Sequence, residues 1–75
     1  MQAHLVFDSK GEFVQASNRK VNADAAAKAC KGKVVEVKVD DKTGQGSCDF
    51  GTIAVEKGLW VFTPKGKKAL TSDKD

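Results

Sequence analysis

Short apolar or alternating segments of strand length run along this chain, interrupted by one stretch with a helical period. HLVF (4–7) is a short apolar run, and EFVQAS (12–17) returns after DSKG (8–11). Asp at the first turn position and Gly at the fourth favour a type I turn followed by a left-handed glycine, so this stretch predicts a hairpin. In KVVEVKV (33–39), Val35, Val37 and Val39 share one face, while Val34, Glu36 and Lys38 share the other. DDKTGQG (40–46) reads as a loop. CDFGTIAVE (48–56) breaks phase at Gly51, and a bulge there would put Cys48, Phe50, Ile53 and Val55 on one face. KG (57–58) turns the chain into LWVF (59–62), and Pro64 ends that strand because it has no amide to donate.

The helical stretch is NADAAAKACKG (22–32). Asn22 can cap it, Asp24 suits the positive end of its dipole, and Gly32 can take the left-handed stop position. Ala23, Ala26, Ala27 and Cys30 fall on one face, and their small side chains let the helix approach a sheet closely. A helix this short is marginal alone and must be held by that sheet.

The order is β-β-α-β-β-β. It predicts an α+β fold of two layers, a mainly antiparallel five-stranded sheet packed on one short helix. Residues 1–64 form the domain and 65–75 a polar, flexible tail. In 59–62, Leu59 and Val61 point one way, Trp60 and Phe62 the other. One helix cannot cover both pairs. The uncovered pair is either buried by curvature or self-association, or exposed as an apolar patch of the kind that marks protein contacts.

Composition narrows the setting. A chain of 75 residues with 40% hydrophobic and 31% charged content fits a small folded domain. It buries only about 60% of its unfolded surface, so its stability margin is thin. No apolar run approaches the roughly 20 residues of a membrane span, and the start lacks a secretory pattern, so a cytoplasmic location is expected.

Chemistry narrows it further. His4 is the single histidine, and Cys30 and Cys48 lack the close spacing of zinc ligands. No metal, cofactor or catalytic set is expected, and the chain reads as no enzyme. The cysteines are either free thiols or a disulfide, since spacing alone does not place their backbones together. TGQGS (43–47) matches no phosphate-binding loop. Asp40 and Asp41 are adjacent at a strand end, which suits turn chemistry.

What remains is surface recognition. The net charge is +3, and the basic residues gather around the helix and in the tail. Candidate partner-binding residues are therefore Arg19, Lys20, Lys28, Lys31, Lys65, Lys67 and Lys68, with Trp60 and Phe62 as apolar anchors. KGLW (57–60), the lysines after it, and NADAAAKAC (22–30), set in this strand and helix order, resemble small anti-CRISPR proteins of phages. That resemblance implies a non-catalytic inhibitor docked on a CRISPR surveillance complex, with lysines where nucleic acid would sit.

The sequence thus points to a small protein-binding module, such as a phage or mobile-element regulator or inhibitor of a host protein complex. The alternative is a nucleic-acid-binding domain that uses the basic helix flank and tail. Exposed strand edges also make a homodimer through the sheet an expectation.

Overall fold

The computed structural model describes residues 1–66, 68 and 70–73. The chain is α+β and antiparallel, with one helix and seven strands among those residues. The strands are β1 (Gln2–Phe7), β2 (Phe13–Ser17), β3 (Lys33–Lys38), β4 (Gln45–Cys48), β5 (Gly51–Glu56), β6 (Leu59–Pro64) and β7 (Leu70–Asp73); the helix α1 is Lys20–Cys30. They form two sheets, not one of five strands: β2-β1-β3 and β4-β5-β6-β7. The sheets face each other, and α1 covers the outer face of the first, so two predicted layers become three.

Two apolar clusters define the layers. Between the sheets lie Ala3, Leu5, Phe7, Ala16, Val37, Val39, Ile53, Trp60 and Phe62, all buried. Between α1 and the first sheet lie Val6, Ala23 and Ala27, with Ala26, Cys30 and Val34 packed against them. The predicted alanine face is thus the face that meets the sheet. β1 is central and covered on both sides, so every residue from Ala3 to Phe7 is buried.

The first hairpin forms as the turn chemistry dictates. Gly11 donates its amide to the Asp8 carbonyl at 3.0 Å, and Asp8 Oδ1 accepts from the amides of Lys10 and Glu12 at 2.9 Å each. Its register then slips: Val6 pairs with Gln15, but Phe7 pairs with Phe13. Val14 is the extra residue and stays exposed. The bulge turns Phe13 onto the inter-sheet face beside Phe7.

The helix starts earlier and stops differently than predicted. The chain leaves β2 at Ser17, and only Asn18 and Arg19 separate it from Lys20, so the end of β2 sets the start. Arg19 takes the N-cap position without a side-chain cap, and Asn22 is an ordinary helical residue. At the other end Lys31, not Gly32, is left-handed, with φ 56°. Its amide donates to the Lys28 carbonyl and that of Gly32 to the Ala27 carbonyl at 2.8 Å, a Schellman closure. Gly32 serves close approach instead: a Cβ there would overlap the backbone of Phe7.

The expected strand 48–56 is two strands. Cys48 pairs with Gly51 across a two-residue turn, Asp49–Phe50, so the break in phase is a hairpin and not a bulge. Gly51 has φ 150°, and a Cβ would run into the Thr63 carbonyl of β6. The tail boundary at residue 64 also moves, because Leu70–Asp73 adds to β6 as an edge strand, with Leu70 opposite Phe62. β3 approaches β4, and β2 approaches β7, so the sandwich is nearly closed along both sides.

Candidate functional site

The inter-sheet core decides the fate of the predicted anchors. Trp60 and Phe62 point toward the first sheet and are 0% and 1% exposed. They are core residues and not a surface patch, because the second sheet lies on the first instead of standing open. Leu59 and Val61 face outward. That outer face of the second sheet also carries Ser47, Thr52, Ala54 and Thr63, around a shallow depression of about 490 Å³.

The chain's four phenylalanines converge at one end of the sandwich. Phe7 ends β1, Phe13 is brought in by the bulge of β2, Phe62 belongs to β6, and Phe50 sits in the turn before β5. Phe13 stacks on Phe62 with centroids 4.7 Å apart, and Phe7 meets Phe62 edge-on at 5.6 Å. Phe7 also meets Phe13 at 6.1 Å and Phe50 at 5.0 Å. Each such pair contributes about 0.5–1.5 kcal/mol beyond its buried area.

The cluster is not sealed. Phe50 is 41% exposed and Leu70 43%. With Pro64 they line a groove of about 630 Å³ whose floor is Phe7, Phe13 and Phe62, and whose rim holds Lys10, Glu12 and Lys65. It opens where β2 and β7 approach but form no described ladder. A second, basic depression of about 450 Å³ adjoins it, lined by Lys10, Lys31 and Lys33 with Asp8, Ser9 and the glycines 11 and 32. Lys10 borders both. Lys33 Nζ stands 4.7 Å from the centre of the Phe50 ring, a cation–π contact worth about 0.5–1 kcal/mol at an exposed site.

Of the predicted cations, the fold brings Lys31 and Lys65 to this end. Lys28 is exposed in the last helical turn, and Lys68 is exposed beyond β6. Arg19 and Lys20 lie at the far end of α1, about 16 Å away for a helix of this length. Lys67 lies outside the described residues. No ion pair involves Lys10, Lys31, Lys33 or Lys65 among the described residues. Asp8 Oδ1, beside them, accepts the amides of Lys10 and Glu12.

The sequence did not reveal Phe7, Phe13, Phe50, Lys10 and Lys33 as one site. The signal was present in DF (49–50) at the phase break, where a turn, unlike a bulge, leaves its second residue exposed.

The reactive side chains sit elsewhere. His4 lies on the central strand, 6% exposed, not at an edge or rim, and its Nδ1 is 3.6 Å from Glu36 Oε1, beyond hydrogen-bond reach. Cys30 and Cys48 are free thiols. Cys30 packs in the helix layer and Cys48 against the inter-sheet core, so the first sheet stands between them. Asp40 and Asp41 serve the loop: Asp40 Oδ1 accepts the Lys42 amide at 2.7 Å, and Asp41 Oδ1 holds the terminal ammonium of Met1 at 3.0 Å. No helix is long and apolar enough to cross a membrane among the described residues. Comparison of the chain with protein-family models, with curated proteins and with solved structures finds no match.

Proposed function

We propose that this chain is a small non-enzymatic protein-binding module that docks on its partner through the phenylalanine groove. It acts by occupying a surface, as a regulator or inhibitor does. The observation that carries this reading is Phe50, 41% exposed on the wall of a concavity that Leu70 and Pro64 extend. A domain this small gains from every apolar side chain it buries, at about 25 cal/mol per Å². Apolar side chains left exposed together around one hollow mark a contact surface more than scattered ones do. The groove accepts an apolar side chain from a second protein, and the rings beneath supply a rigid floor.

Nucleic-acid binding is the second reading, and the unpaired lysines around the groove favour it. It ranks below the first because Phe50, the most exposed ring, already carries Lys33 over its face and Phe7 against it. A base stacking on Phe50 has to displace that lysine, whereas single-strand binders offer free ring faces.

A photo-crosslinker tests the proposal. Benzoylphenylalanine at position 50 is expected to capture a discrete protein from host lysate, and the same label at Val21, exposed on the helix, is not. Equal capture from both positions, or capture of nucleic acid from position 50, overturns it.

A further inference from the structure

We infer that the segment entering the phenylalanine groove is acidic: an apolar anchor side chain flanked by carboxylates that settle on Lys10, Lys31, Lys33 and Lys65. This rests on the groove reading and names the chemistry of its occupant. Three observations carry it.

The first is placement. Lys10 borders both the apolar groove and the basic depression. Lys65 also lines the groove, and Lys33 Nζ stands over the Phe50 ring. In an extended segment, alternate residues point to the same side about 7 Å apart. An anchor in the groove therefore sets its neighbours within reach of these cations.

The second is the absence of internal partners. No described ion pair engages the four lysines, although carboxylates are close by in sequence. Glu12 is the one acidic side chain that lines the groove and Asp8 the one that lines the basic depression among the described residues, and Asp8 Oδ1 accepts from the amides of Lys10 and Glu12. Among the residues that line the groove and the depression, four lysines stand against two acids, Glu12 and Asp8, and this net positive surface complements an acidic ligand and repels a basic one.

The third is the kind of cation. All four are lysines. An ammonium is a point charge on a flexible stem and accepts a carboxylate from many directions, whereas a guanidinium demands a fixed fork. Shape selection then belongs to the aromatic floor, and charge selection to the rim.

The probe is a short synthetic peptide with one central phenylalanine between glutamates, titrated into isotope-labelled protein and followed by amide resonances. The comparison peptides carry glutamine flanks, or alanine at the centre; a short single-stranded oligothymidine is the nucleic-acid control. At about 50 mM salt the glutamate peptide is expected to bind about tenfold tighter than the glutamine peptide, and at about 300 mM salt that advantage is expected to shrink severalfold. The changes should centre on Lys10, Lys33 and Phe50. Lys10→Gln with Lys33→Gln should cut the advantage severalfold, Lys31 and Lys65 keeping the remainder, and an undiminished advantage overturns the acidic inference.

Equal binding of the glutamate and glutamine peptides at the groove overturns the acidic inference alone. No response of Phe13, Phe50 or Leu70 to any phenylalanine-bearing peptide overturns the groove reading with it. Tighter binding of oligothymidine on the same resonances overturns both in favour of nucleic acid. Concentration-dependent dimerisation that shifts Phe50 and excludes the peptides makes a second copy the occupant and overturns the acidic inference.

Discussion

Gly32 lies so close to Phe7 that a single methyl group on it would overlap the Phe7 carbonyl. The contact joins the end of the helix to the end of the central strand. Beside it, Lys31 holds the left-handed conformation of the helix stop, which costs a non-glycine residue about 1 kcal/mol. The two positions should therefore respond oppositely. Gly32→Ala is expected to lower stability by several kcal/mol, since the obstacle is backbone and cannot rotate away. Lys31→Gly is expected to raise it by up to about 1 kcal/mol. Urea unfolding of both variants checks this, and a mild Gly32→Ala would refute the close approach.

Trp60 is fully buried, and its indole N–H has no hydrogen-bond partner among the described residues. An unsatisfied buried donor costs about 1–3 kcal/mol. Trp60→Phe removes that donor and keeps most of the packing, so the expected loss is under about 1.5 kcal/mol. Trp60→Ala leaves a cavity and should cost about 3–5 kcal/mol. Chemical denaturation separates the two, and equal losses would contradict this account of the core.

Cys30 and Cys48 lie on opposite faces of the first sheet. Mild oxidation of the native monomer should therefore leave both thiols titratable after unfolding. An intramolecular disulfide under those conditions, seen by mass spectrometry without reductant, would mean the layers are arranged differently.

β7 makes Leu70–Asp73 part of the fold. Leu70 pairs with Phe62, and β7 stands beside β2. Ending the chain after Pro64 removes a hydrogen-bonded edge strand and one wall of the groove. The expected loss is at least about 1 kcal/mol, since several net-favourable backbone bonds go with it. Unchanged stability would return residues 65–75 to the role of a tail.

Local chemistry carried the sequence reading a long way in some segments. DSKG specified its turn, because Asp8 can bond amides two and four residues on. The alanines marked the helix face, because only small side chains allow close packing on β1. Val35, Val37 and Val39 declared their face by alternation. Short-range effects also misled. Asn22 is a good cap in isolation, but the end of β2 sets the helix start. Gly51 looked like a bulge because a phase break in one strand and a two-residue hairpin leave the same parity signature. Of the proposed site, Lys31, Lys65 and Phe62 were named in advance, while Phe13 waited on a register slip that no local pattern announces.

By itself, then, the sequence determined the class of fold, the first hairpin, the helix and its packing face, and the antiparallel character of the strands. Each of these is decided within a few residues by turn geometry, periodicity and side-chain size. Only the tertiary structure decided that the strands divide into two facing sheets. That choice depends on pairings between residues far apart in the chain, such as Leu5 with Val35 and Phe62 with Leu70. The division puts Trp60 and Phe62 inside, and it draws Phe7, Phe13, Phe50 and Lys33 from four separate segments to one end, because two stacked sheets have a shared core and a common mouth.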